Sequence, residues 1–179
     1  DVSAQGAARF DATLSQTTAQ VTGLGLAVTT IERLSLTTGN GADVISTQGY
    51  ALNDYIHTTG GTDNVNAGLG IDTLNGGDGI DLLQMDYHTA LSSISSFGIG
   101  GGVTRTTMAD GTSSIDWINF ERFYLTGGLG NDQLTGGALS DRLIGGDGDD
   151  VLNGYRGRDV ISGNDGQDTY VGDYANMVT

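Results

Sequence analysis

From Gly127 to Val171 the chain divides without remainder into five units of nine residues, GGLGNDQLT, GGALSDRLI, GGDGDDVLN, GYRGRDVIS and GNDGQDTYV. The sixth place is always aspartate, at Asp132, Asp141, Asp150, Asp159 and Asp168, and the eighth is always large and apolar, at Leu134, Leu143, Leu152, Ile161 and Tyr170. Glycine opens every unit and usually recurs at the second and fourth places, so half of each unit can take the positive φ angles that a Cβ disfavours. The other half, as in Asp150-Val151-Leu152-Asn153, sets one inward apolar residue between outward neighbours, which is the period of a β-strand. A strand with one inward residue buries no core alone. The units must therefore stack, with the apolar column as a ladder between two parallel sheets.

Stacking brings carboxylates together. With two units per coil, Asp132 lies above Asp150, Asp141 above Asp159 and Asp150 above Asp168, about 4.8 Å apart. At that distance carboxylates either take up protons or hold a cation between them. Turn carbonyls also face inward, which favours a hard, oxygen-seeking cation. Calcium fits best: magnesium demands a stricter octahedron, and zinc prefers nitrogen and sulfur, of which this chain offers two histidines and no cysteine.

These units resemble the nonapeptides of RTX, or haemolysin-type, calcium-binding repeats. The resemblance implies an all-β fold, a right-handed parallel β-roll, with calcium between turns on one edge of successive coils. Its ligands would be the column aspartates and the carbonyls of the first and third turn residues. Carried onto this chain, the pattern places ligands at Gly127, Leu129 and Asp132, at Asp141, at Gly145, Asp147 and Asp150, at Gly154, Arg156 and Asp159, and at Gly163, Asp165 and Asp168.

The same pattern appears earlier. TGNGADVIS from Thr38 carries Asp43 and Ile45, while the stretch from Gly49 to His57 keeps only Asp54 and Ile56 and is expected to hold the shape without a full metal site. TTGGTDNVN, AGLGIDTLN and GGDGIDLLQ then set Asp63, Asp72 and Asp81 nine residues apart, with Val65, Leu74 and Leu83 inward. The ligands expected here are Asp43, Asp63 and Asp72, together with Gly76, Asp78 and Asp81. Between the arrays, longer strands broken by Gly98, Gly100 to Gly102 and an Asp110-Gly111 turn suggest a β-hairpin insertion. IERLSLTTGNGADVIS from Ile31 and FERFYLTGGLGNDQLT from Phe120 share Glu, Arg, Leu, Thr, Gly and Asp in register 89 residues apart, so the chain reads as two copies of one plan. The expected organisation is an N-terminal strand cap over 1–37, a first array over 38–84, an inserted strand segment over 85–126 and a second array over 127–179.

Composition narrows the function. The acids are 20 Asp and 2 Glu against 7 Arg, a net charge of −15, with 31 Gly and no Pro. Such a charge repels nucleic acid and anionic lipid, and no run approaches the roughly 18 apolar residues of a membrane span. Without cysteine no disulfide can support an extracellular fold, and calcium can take that place. No GxSxG elbow or Ser/His/Asp set is present, and neither His57 nor His88 has a ligand-like neighbour, so no enzymatic activity is expected. Trp117, Phe120, Phe123 and Tyr124 could stack on a sugar, but the simpler expectation is that they cover the open end of a sheet stack.

The expected function is a calcium-binding extracellular module, a piece of a larger secreted or cell-surface bacterial protein. The resemblance adds export by type I secretion with folding on calcium outside. Two alternatives stand beside it. One is a structural or adhesive segment with calcium-mediated assembly. The other is a carbohydrate-binding accessory module of a polysaccharide-active enzyme, with glycan binding or self-association through 85–126.

Overall fold

The computed structural model describes the backbone at 11–14, 19–22, 26–28, 33–48, 51–97, 104–108 and 113–172, with side chains over 33–48, 51–95, 106–108 and 113–172. The expected Asp110-Gly111 turn, the glycines at 98 and 100–102, and residues 173–179 lie outside it. Strands are numbered in chain order. The first sheet runs β19 (Val160–Asp165), β17 (Arg142–Asp147), β15 (Arg122–Thr126), β11 (Leu82–Asp86), β8 (Asn64–Asn66), β5 (Val44–Ser46), β1 (Asp11–Leu14), β2 (Ala19–Thr22) and β3 (Leu26–Val28). The second runs β20 (Thr169–Gly172), β18 (Val151–Tyr155), β16 (Gln133–Thr135), β12 (Ile94–Phe97), β13 (Thr104–Met108), β14 (Ser114–Ile118), β9 (Ile71–Asn75), β6 (Tyr55–His57) and β4 (Ser35–Thr37). A small pair joins β7 (Gly60–Gly61) to β10 (Asp78–Gly79).

Successive array strands alternate between the sheets, and like strands pair in parallel at intervals of 18 residues, as in Leu134↔Leu152 and Leu143↔Ile161, or of 20 in the first coil, as in Leu36↔Ile56 and Ile45↔Val65. This is the coil of a parallel β-solenoid, and among the described residues every regular element is a strand. The core follows from one inward side chain per short strand. Ile45, Val65, Leu83 and Phe123 form the ladder of the first sheet, and Leu36, Ile56, Leu74 and Trp117 that of the second, all buried. Strand β1 continues the first sheet in parallel beyond β5, and β2 and β3 follow it antiparallel.

Between the arrays, β14 and β15 continue the two sheets by pairing in parallel with β9 and β11. Strands β12 and β13 are additional: they enter the second sheet, antiparallel to one another, between β14 and β16. The two sheets then differ in strand count here, and large side chains fill the space. Trp117 packs on Phe123 with ring centroids 4.9 Å apart and edge-on to Phe120 at 6.4 Å, all three buried. This corrects the expectation that the aromatics cover an open end, since only Tyr124 of the four is exposed. Tyr170 also departs from the pattern: β20 is the last strand of its sheet, so the ring is 54% exposed instead of inward, and its hydroxyl accepts the Gly163 N–H at 2.8 Å.

The 89-residue repeat has an unexpected placement. Thr37 and Thr126 occupy matching positions in the sequence, yet β4 lies in the second sheet and β15 in the first. An odd number of sheet crossings separates the copies, so the second copy has exchanged faces. Its aspartate column is displaced too. Register aligns Asp81 with Glu121 but Asp141 with Phe123, so the column moves two residues along the strand, roughly 6.6 Å.

Candidate metal centre

One hydrogen bond recurs along the coil edges of both arrays. Oδ1 of a column aspartate accepts the backbone N–H of the residue stacked on the preceding coil, usually another column aspartate. Asp43 donates to Asp63 at 2.8 Å, Asp54 to Asp72 at 2.8 Å, Asp63 to Asp81 at 2.8 Å, Asp132 to Asp150 at 2.7 Å, Asp141 to Asp159 at 3.0 Å and Asp150 to Asp168 at 3.1 Å. The pattern holds at the array ends, where Leu34, Ile94 and Phe123 donate to Asp54, Asp132 and Asp141. The side chain thus ties each coil to the last and holds one carboxylate oxygen fixed at the edge.

The second oxygen, Oδ2, distinguishes the units. At Asp132 and Asp141 it accepts the N–H of Gly128 and Gly137 within the turn, at 2.7 and 2.6 Å. At Asp54, Asp63, Asp72, Asp81 and Asp150 it is buried with no hydrogen-bond partner, an arrangement that costs several kcal/mol unless a counter-charge is supplied. In the units that open with glycine, that glycine lies beside this oxygen. A methyl at Gly145 would collide with Asp150 Oδ2 and approach the Gly163 carbonyl, and one at Gly127 would collide with Asp132 Oδ2 and the Gly145 carbonyl. Gly136, Gly154 and Gly163 face the Oδ2 of Asp141, Asp159 and Asp168 in the same way. Each opening glycine therefore keeps clear a cradle lined by oxygens.

In the first array most opening residues carry side chains. Thr47 and Thr58 donate their hydroxyls to the carbonyls of Ala67 and Gly76, which open the next coil. The Thr58 hydroxyl lies beside the Asp63 carboxylate and partly offsets its desolvation, as Thr47 does for Asp54. Thr38 opens the unit of Asp43, and Ala67, fully buried, that of Asp72. Only Gly76, ahead of Asp81, repeats the glycine arrangement of the second array.

Burial sets the protonation of the column. Desolvation raises Asp72 to about 8, with the Asp54 charge adding to it, and raises Asp81 to about 7, with Asp63 and Glu121 adding. Asp141 and Asp150 rise to about 6 for the same first cause, with Asp159 behind the former and Asp132 and Asp168 behind the latter. Asp54, Asp63, Asp132 and Asp159 are also held above the usual carboxylate range by desolvation. Carboxylates so placed bind either protons or a cation. Among the described residues no three Asp, Glu or His side chains converge on one point, so carbonyl oxygens must complete any site, as suits calcium.

The remaining expected ligands are backbone positions. Asp147 pairs with Asp165 and Asp78 with Gly60 along the turns, with the three aspartate side chains exposed. The Asp165 carbonyl accepts the Gly148 N–H at 2.8 Å and keeps a second lone pair. Leu129 and Arg156 point outward, the Arg156 guanidinium 5.5 Å from the Tyr155 ring centroid. Tyr155 and Asn164 stand at second places that are often glycine, and both keep the left-handed backbone there, at φ 64° and 69°. The histidines stay outside the metal edge: His88 is exposed and bonds Asp86 at 2.8 Å, and His57 is half-buried in β6.

Sequence reasoning missed two carboxylates of the column. Asp54 is buried and bonded like its neighbours despite its irregular unit. Glu121 Oε2 accepts the Asp81 N–H at 2.9 Å, the bond an aspartate makes elsewhere. Its signal was present in the 89-residue repeat, which sets it opposite Glu32.

A parallel β-solenoid with buried carboxylates repeated along its coil edges, and glycine cradles beside them, is a calcium-binding β-roll. The chain carries RTX calcium-binding nonapeptide repeats: the family model described as RTX calcium-binding nonapeptide repeat (4 copies) matches residues 48–83, 124–143 and 135–170. Neither a curated protein nor a solved structure matches the chain.

Proposed function

We propose that this chain is a module of a secreted or surface-displayed protein, and that calcium binding drives its folding outside the cell after type I export. The observation that carries this reading is the buried Oδ2 of Asp81 and Asp150, each without a protein partner and each beside a glycine cradle. Asp132, Asp141, Asp159 and Asp168 border cradles of the same form. Calcium held there supplies a divalent charge that offsets stacked carboxylates, and the turn carbonyls complete its shell. A site divided between coils exists only when the coils are stacked, so binding free energy adds directly to folding free energy. Extracellular calcium modules bind at roughly 10⁻⁴ to 10⁻³ M. A chain with such sites stays expanded in a calcium-poor cytosol and folds on reaching the outside. Its role is structural, not catalytic.

The test is a far-ultraviolet circular dichroism titration of chelated protein with calcium, repeated with magnesium. Cooperative gain of β signal with calcium alone is expected. A fully folded chelated protein at neutral pH overturns the folding switch and leaves the solenoid in place.

A second reading, an accessory module for an acidic polysaccharide, draws on one surface. Arg122, Arg142 and Arg158 stand on or beside the outer face of the first sheet of a chain of net charge −15, and among the described residues none forms a salt bridge, although the Arg122 charge is felt by Asp141. Arg122 and Arg158 line an open groove of about 650 Å³ with Ile80 and Leu139. Binding of a soluble polyuronate at fixed ionic strength, lost in Arg122→Ala/Arg158→Ala, would support this reading. Absence of binding by the parent removes it.

A further inference from the structure

The cradles of the second array follow one rule. At Gly127, Gly136 and Gly145 the glycine that opens a unit faces Oδ2 of its own aspartate and the carbonyl of the glycine that opens the next coil, as Gly145 faces Asp150 and Gly163. The last unit of the first array opens at Gly76 and has no nonapeptide above it, since the stretch 84–123 falls outside the matched repeats. The rule is kept there by other residues. Gly76 donates its N–H to the Ile118 carbonyl at 3.1 Å, and Asn75 pairs with Ile118, which sets Asn119 in register with Gly76. A methyl at Gly76 would collide with the Asn119 carbonyl and come to 2.9 Å from Asp81 Oδ2. Both oxygens therefore face one space.

Glu121 supplies the carboxylate that the missing unit lacks. Its Oε2 takes the Asp81 N–H, as Asp150 takes that of Asp132, and Oε1 has no hydrogen bond among the described residues. Asp81 is 0% exposed, and its Oδ2 has no partner. We infer that the junction of the two arrays holds a further calcium site, formed by Asp81 Oδ2, the Glu121 carboxylate and the Asn119 carbonyl. A buried carboxylate beside a carbonyl, with a second carboxylate bonded to the same residue's N–H, presents only acceptors, and a hard divalent cation is what such a set takes. The site joins the arrays: Asp81 belongs to the first, and Glu121 immediately precedes β15, which lies between β11 of the first array and β17 of the second. The inference rests on the calcium reading of the arrays.

The single tryptophan makes the site addressable. Trp117 precedes Asn119 by two residues, which places their Cα atoms within roughly 7 Å. Terbium can replace calcium, and its emission under selective tryptophan excitation reports ions close to Trp117. The experiment compares the parent, Glu121→Gln and Asp168→Asn, with calcium counted by equilibrium dialysis and native mass spectrometry. Glu121→Gln keeps an oxygen for the Asp81 N–H and removes the charge. The expected result is strong sensitised emission from the parent and from Asp168→Asn, and its loss in Glu121→Gln together with one calcium ion. A folded parent that binds terbium without sensitised emission overturns the junction site, and that arm decides even where Glu121→Gln does not fold. An unchanged calcium count and emission in Glu121→Gln also overturns it while leaving the array sites standing. A parent that binds no calcium overturns the calcium reading itself.

Discussion

Asp132 and Asp150, eighteen residues apart, are joined by a 2.7 Å hydrogen bond from the backbone N–H of the first to Oδ1 of the second, while Oδ2 of Asp150 has no protein partner. One carboxylate thus locks two coils and presents an oxygen to the cradle at Gly145. Asp150→Ala removes both functions. A hydrogen bond to a charged group contributes about 1.5–3 kcal/mol, so the calcium midpoint of folding should rise severalfold. Asp165→Ala removes an exposed side chain and keeps its carbonyl, so its midpoint should stay near the parent's. Equal midpoints in a circular dichroism titration would show that the column does not bind the ion.

The cradle itself can be tested by substitutions that add or remove carbon. Gly145→Ala places a methyl against Asp150 Oδ2 and should cost one calcium ion as well as stability. Thr58→Ala removes the hydroxyl bonded to the Gly76 carbonyl and should cost about 1 kcal/mol with the calcium count unchanged. Native mass spectrometry of both variants decides: an ion lost from Thr58→Ala, or none lost from Gly145→Ala, contradicts the division between filled and open cradles.

That division also marks what the sequence made legible. The nine-residue period sufficed for stacked coils, the inward ladder and the aspartate column, because an uninterrupted repeat forces neighbours into register. Whether Thr58 or Gly145 opens a unit was equally visible, but its consequence depends on the oxygens of the neighbouring coil, which only register supplies. Glu121 escaped notice because its strand follows two extra strands, and no count of nine leads from Asp81 to it. The same insertion hid the fate of Trp117, Phe120 and Phe123: composition cannot tell an aromatic that covers an end from one that fills a widened core.

Tyr155 carries φ 64° at a turn position where Gly77 and Gly146 sit in other units. A residue with a Cβ there costs roughly 1–2 kcal/mol. Against this, Tyr155 gains a stacking contact with Arg156, and its side chain stays 38% exposed. Tyr155→Gly should therefore raise the midpoint temperature of the calcium-loaded protein by a few degrees. A lower midpoint in differential scanning calorimetry would mean that the exposed ring contributes more than the strain costs.

The raised carboxylates make calcium and protons competitors, and the sign can be worked out from them. In the folded chain Asp72 sits at about 8, Asp81 at about 7, and Asp141 and Asp150 at about 6, all above the ordinary 3.8. A folded-state value above the unfolded one means that the folded chain binds more protons between the two. In chelator, the stability from these groups is fully present below pH 4, declines as pH rises through 6 to 8, and is lost above. Chelated protein should therefore show more β structure at pH about 5 than at pH about 8. Calcium reverses the order, because the ion binds only deprotonated carboxylates. Its midpoint should rise as pH falls, and calcium added near pH 7 should release protons, measurable in a weakly buffered solution with a pH electrode. If the calcium midpoint is flat with pH and no protons are released, the buried column is already ionised without the ion, and calcium does not work by displacing protons from it.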